Sequence, residues 1–211
     1  ATHLYSVGRL REALRFEQQS VALEGSNPQT IMWLAKMTTR VGDRGEALRL
    51  WREADELGAA RPLCSAMLRL ELGQREPLAE FYRETFARTG VPENLRDPTA
   101  LLEGMTDPSK RGTALAWLRA VESQIDPAFA ITHYAALGDV DSAYRIAAKY
   151  DLGSDFWYLY QIANMWAPQT ASLRRDPRFG ALLERWGFVD YWKRFGKPDL
   201  CTVDADGAVC R

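Results

Sequence analysis

A six-residue phrase that recurs along the chain constrains its fold more than any other feature. Gly8-Arg-Leu-Arg-Glu-Ala13 returns 34 residues on, from Gly8 to Gly42, as Gly42-Asp-Arg-Gly-Glu-Ala47. It returns again as Gly138-Asp-Val-Asp-Ser-Ala143, and in degenerate form as Gly73-Gln-Arg-Glu-Pro-Leu78. A fixed period of this length marks stacked supersecondary units, none of which buries its apolar face alone. In each copy the glycine is expected to end one helix, at a position that often needs φ > 0, before a short turn opens the next. The small residue five positions later suits close approach of the paired helices. After the first glycine Leu10, Ala13, Leu14, Val21 and Ala22 form an apolar stripe interrupted by Glu17. Ala47, Leu48, Leu50, Trp51 and Ala54 follow the second. Pro28 and Pro62 suit the first turn of a helix.

This pattern resembles the tetratricopeptide repeat, a helix–turn–helix of about 34 residues. The resemblance implies an all-α, right-handed helical solenoid over residues 1–152. It is clearest at 1–58 and 125–152, where Tyr134 stands four residues before Gly138. It is degenerate at 59–124, where Leu78 replaces the small residue and Pro92, Pro98 and Pro108 punctuate helices without the motif. Asp107-Pro108 reads as a helix entry, and Thr113 to Gln124 as one amphipathic helix.

Residues 153–211 are expected to form a C-terminal helical cap and tail. Ser154 can cap a helix carrying Phe156, Trp157, Tyr158, Tyr160, Ile162 and Trp166, an aromatic density that must be buried or form a binding face. Asp176-Pro177 opens a helix over Arg178–Trp186, with Gly187 as its stop. Cys64 lies in an apolar helical stretch and reads as a small core residue. Cys201 and Cys210 bracket the turn signal Asp204-Ala-Asp-Gly207 between two short β-prone pieces. A tail hairpin there would bring the two sulfurs together in a disulfide; two unpaired thiols are the alternative. A bridge would point to an oxidising compartment.

The segment Trp166-Ala-Pro, Leu173-Arg-Arg-Asp-Pro-Arg-Phe179, Leu182-Leu183, Gly187, Tyr191-Trp192 and Pro198-Asp-Leu-Cys201 resembles the C-terminal end of bacterial tetratricopeptide signalling proteins. The nearest pattern is that of winged-helix one-component transcriptional regulators, which often carry a single transmembrane helix. The resemblance implies a sensory or interaction region that binds a peptide, a protein partner or a small ligand to control an attached DNA-binding domain. It implies a membrane-anchored parent protein, a periplasmic location, a homodimer as a second mode of association, and no nucleic-acid contact by these residues. A similar tail belongs to tetratricopeptide regions of adenylate cyclase-like proteins. The alternative is therefore a cytoplasmic scaffold or regulatory region with reduced cysteines.

Of 211 residues, 46% are hydrophobic and 26% charged, as in ordinary globular chains. Lys and Arg number 27 against 28 acidic residues, without the basic surplus of a nucleic-acid-binding domain. No apolar run reaches the roughly 18 residues of a membrane span. The N-terminus has no signal-peptide pattern and reads as cut from a longer chain.

Catalytic signals are weak. His3 and His133 are far apart, no ligand cluster has metal spacing, and there is no phosphate loop or nucleophile elbow. His133 is expected to be structural, and Asp204-Ala-Asp-Gly207 lacks the remaining acidic ligands of a calcium loop. Arg174, Arg175 and Arg178 read as a solvated helix entry. The expectation is a non-enzyme with no cofactor and no metal. Repeat register places Gln29, Met32, Lys36, Thr39 and Arg40 on the concave groove, then Leu63, Met67, Leu70 and Glu71. Ile125, Ala128, Thr132, Ala135 and Ala136 follow in the later repeat. Lys36 and Arg40 share a helical face and can hold a carboxylate or acidic peptide. Pairing with neighbouring Glu residues is the competing expectation.

Overall fold

All four glycines of the repeated phrase have left-handed backbone: φ is 77° at Gly8, 104° at Gly42, 77° at Gly73 and 81° at Gly138. Each separates two helices in the computed structural model, which describes residues 1–59, 66–149, 162–205 and 207–211, without the side chains of Ala66, Met67 and Pro77. The helix pairs are α1 (Thr2–Ser6) with α2 (Leu10–Glu24), α3 (Pro28–Val41) with α4 (Arg44–Glu56), and α5 (Ala66–Glu71) with α6 (Arg75–Arg88). The last such pair is α9 (Pro127–Ala136) with α10 (Val140–Ala147). The sequence readings on Pro62, Leu63, Cys64, Ser154, Phe156, Trp157, Tyr158, Tyr160 and Asp206 lie outside the described residues.

Local chemistry sets the helix starts. Asn27 caps α3 by accepting from the Gln29 and Thr30 amides, with Pro28 at the first turn. Asp43 and Asp139, each just after a repeat glycine, accept from the Glu46 and Ser142 amides and cap α4 and α10. Arg9 and Gln74 stand at the same place in the other copies and make no cap bond. Ala13, Ala47 and Ala143 are wholly buried five residues after their glycines, and Leu78 fills the same position in the degenerate copy.

Between these pairs lies one that the repeat phrase does not announce. α7 (Thr99–Gly104) packs on α8 (Arg111–Val121), and a Cβ added at Gly104 would overlap that of Ala114. Asp107 caps a single 3₁₀ turn at Pro108–Lys110 that leads into α8. The helix expected over 113–124 thus begins two residues earlier and ends in a 3₁₀ turn at Glu122–Gln124.

The C-terminal segment adds 3₁₀ turns at Ala163–Trp166 and Pro168–Thr170, then α11 (Ala171–Arg175), α12 (Arg178–Arg185) and α13 (Phe188–Phe195). α12 stops one residue short of the expected Trp186, ahead of Gly187 at φ 75°. The strands β1 (Cys201–Asp204) and β2 (Gly207–Cys210) pair antiparallel with Cys201 opposite Cys210, and the two sulfurs lie at disulfide distance. β2 rests on α12 so closely that a Cβ at Gly180 would strike the Ala208 carbonyl.

One large apolar cluster runs from Tyr5 to Cys201 across the 152/153 boundary, and a smaller one joins α3, α4 and α5. The two ends of the chain meet. The Trp166 and Trp192 indoles donate to the Ser6 and Val7 carbonyls at 2.8 Å each, and the Asp199 amide donates to Gly8 O at 2.9 Å. In a linear stack each unit touches only its neighbours. Here the first helix and the last segment share a core. Among the described residues no helix is long and apolar enough to cross a membrane.

Candidate functional site

The inward face of α3 carries the charge. Met32, Lys36 and the Arg40 side chain follow one another at helical spacing and are all buried. Lys36 has its ammonium over the rings of Trp33 and Tyr5, at 4.9 and 5.3 Å from their centroids. Arg40 donates from Nε to Tyr5 Oη at 2.8 Å and pairs through Nη1 with Glu71 of α5. Both partners of that ion pair are closed to solvent, at 1% and 4% side-chain exposure. Burial disfavours the charge on Arg40, but Glu71 and Tyr5 outweigh it and hold the guanidinium above its usual range. For Arg40, Glu71 is the carboxylate partner of the competing expectation.

The pair is incompletely satisfied. Arg40 Nη2 and Glu71 Oε1 have no hydrogen-bond partner among the described residues. One buried donor beside one buried acceptor suits a group that both accepts and donates, such as water or a hydroxyl.

Three further ionisable groups are buried in the interior. Arg174 was expected in solvent and is instead 5% exposed. Its Nη1 donates to the carbonyls of Met165 and Ala167 at 2.6 and 2.7 Å, and its Nε to Arg211 O at 3.0 Å. Burial, then repulsion from Arg40 and Arg175, pushes Arg174 down to about 10. Carbonyl dipoles replace water around it, which is why it can sit inside. Arg178 is exposed, as expected, but pairs with Asp176 and Asp141 and lies 4.4 Å from the Tyr144 ring centroid. Arg69 is buried against Trp51 and Phe81. Glu17 lies on the buried stripe of α2, where desolvation raises its carboxyl to about 7.

The remaining groove positions divide. Gln29, Thr39 and Leu70 are half-buried at the edge of the charged face. The Thr39 hydroxyl donates to Ala35 O. Met67 belongs to α5, with its side chain outside the described residues, as is Leu63. Ile125, Ala128 and Ala135 belong to the large core; Thr132 is buried with its hydroxyl on Ala128 O, and Ala136 is half-buried. The register argument expects these positions to line an open concave groove, whereas the tertiary structure buries Met32, Lys36 and the Arg40 side chain.

His133 has a structural place. Its Nδ1–H donates to Phe129 O and its Nε2 accepts from the Tyr82 hydroxyl, both at 2.7 Å. Burial drives the imidazole down to about 4, so it is neutral at ordinary pH. Three surface hollows among the described residues lie elsewhere: one of about 330 Å³ along the exposed side of α4, one of about 210 Å³ at Glu122, Arg145 and Lys149, and one of about 290 Å³ beside the Cys201–Cys210 hairpin. No cluster that could hold a metal ion occurs among the described residues.

No known family, curated protein or solved structure matches this chain. Tyr5, Glu17 and Arg174 were missed as members of the charged interior. Glu17 left a trace in the sequence as the one polar break in an apolar stripe. Tyr5 and Arg174 left none: Tyr5 meets Arg40 from 35 positions away, and the carbonyls around Arg174 come from irregular turns at 163–170 and from Arg211, which no helical period marks.

Proposed function

We propose that this chain is the sensory or interaction domain of a bacterial signalling protein, built as a tetratricopeptide-like right-handed solenoid with a C-terminal cap. The observation that carries the reading is one glycine-turned helix pair used four times, with Arg40 of the second copy paired to Glu71 of the third. Such stacks deform by small adjustments between neighbours. A partner carboxylate that replaced Glu71 on Arg40 would break the contact between α3 and α5. It would shift the balance of two arrangements and so bias an attached output domain, here a winged-helix DNA-binding domain. The partner is an acidic peptide, a protein segment or a small anionic ligand, with homodimerisation as a further mode. The cysteine pair at disulfide distance supports a periplasmic location for the domain of a membrane-anchored parent.

The test is calorimetric titration of the chain with Asp- and Glu-rich hexapeptides at low salt. Glu71→Gln removes the internal competitor and should tighten binding by roughly tenfold, about 1.4 kcal/mol. Lys36→Gln should weaken it. Absence of binding to both wild type and Glu71→Gln would remove the acidic-ligand reading.

A further inference from the structure

The tail hairpin holds two parts of the molecule at once. Its strands have four residues each, and a two-stranded hairpin of that size is marginal alone. On the N-terminal side of Cys201, Asp199 donates its amide to Gly8 O and accepts the Arg11 amide on Oδ2 at 3.0 Å. On the C-terminal side of Cys210, Arg211 donates to Leu200 O and accepts Arg174 Nε. Arg174 then gathers the carbonyls of Met165 and Ala167, and the indole between them, Trp166, is bonded to Ser6 O. Both ends of the hairpin thus lead to residues 6–11, one directly and one through Arg174. Cys201 is buried at 9% exposure and Cys210 is half-buried, and both line a surface hollow of about 290 Å³.

We propose that Cys201 and Cys210 form a redox latch on the closure between the two ends of the chain. Oxidised, the bridge keeps Asp199 and Arg211 in register and the N-terminal helix clasped. A dithiol reductant opens it: one thiolate attacks a sulfur of the pair and breaks the S–S bond, forming a mixed disulfide. The second thiol of the reductant then attacks the reductant's own sulfur in that mixed disulfide and expels the protein cysteine as a thiolate, which takes up a proton. Two electrons and two protons pass to the pair, leaving two cysteine thiols and the reductant as its own disulfide. Loss of the crosslink frees the hairpin, and with it the clasp on Gly8 and Arg11. This inference does not rest on the binding reading, and failure of the peptide titration leaves it untouched.

Hydrogen–deuterium exchange of the full chain, oxidised and after dithiothreitol, tests it. The Arg11 and Asp199 amides are themselves clasp bonds. Reduction should speed exchange at residues 8–12 and at Asp199 by roughly tenfold to a hundredfold, the range a crosslink closing so short a loop can supply. Reoxidation should restore the slow rates. Acceleration confined to 201–211 would overturn the proposal, and so would equal acceleration in the core helix 111–121, which would mean global unfolding. Asp199→Ala in the oxidised protein gives a second readout. It should speed exchange at 8–12 while the bridge stays intact, and unchanged protection there would also overturn the latch.

Discussion

Arg40 and Glu71 are each other's only countercharge among the bonds described, so removing one leaves the other buried and unpaired. Arg40→Ala should cost about 3–5 kcal/mol of stability in urea denaturation. The double change Arg40→Met with Glu71→Leu should recover most of that loss, because it removes both desolvation penalties together. Two buried titrating groups set opposite pH dependences. His133 has its folded pKa near 4, below the ordinary 6.5, so between those values the unfolded chain takes up the proton first. Stability from this residue is full above pH 6.5 and falls toward pH 4, by about 1.4 kcal/mol per pH unit at most. Glu17 is raised to about 7, so from its ordinary 4.5 upward the unfolded chain loses its proton first, and stability falls as pH rises. Glu17→Gln should accordingly raise Tm by about 2–4 °C at pH 8 and leave it nearly unchanged at pH 5.

Glycines show at the level of elements how position outweighs propensity. Gly104 ends α7 against Ala114, and Gly112 lies in α8 with open space where a Cβ would go. Gly→Ala normally stabilises a helix by up to about 1 kcal/mol. Gly112→Ala should follow that rule. Gly104→Ala should instead destabilise by about 1–3 kcal/mol, since the added methyl forces α7 and α8 apart. Thermal melts of the two variants separate the cases by sign. The α7–α8 pair also explains why the stretch 91–124 looked irregular in sequence. Its close contact uses a glycine at the end of the first helix, not the glycine turn and small residue of the repeat phrase.

For the molecule as a whole, closure of the two ends is the main structural decision. Trp166 and Trp192 are each 1% exposed, and their indole N–H groups bond to the carbonyls of Ser6 and Val7 at the end of the first helix. Trp192→Phe keeps most of the apolar area but leaves Val7 O without its donor. It should cost about 1–2 kcal/mol. Trp192→Ala, which also opens a cavity, should cost about 3–5 kcal/mol. Denaturant midpoints read by the fluorescence of the remaining tryptophans would order wild type, Phe and Ala in that sequence.

Glycine turns and capping residues were readable from the chain because each acts over a few neighbours. Gly42 must turn and Asp43 must cap wherever the helix goes. The same locality made Lys36 and Arg40 readable as inward-facing, since helical spacing decides which side chains share a face. Whether that face is open is a different kind of question. Its answer depends on Tyr5 and Glu71, brought to Arg40 from 35 and 31 positions away, and on Arg174, whose carbonyl cage is built by the turns at 163–170. No period in the sequence encodes those meetings. Tertiary packing made them, because burying two tryptophans against the first helix brings the ends together and closes the interior over its own charges.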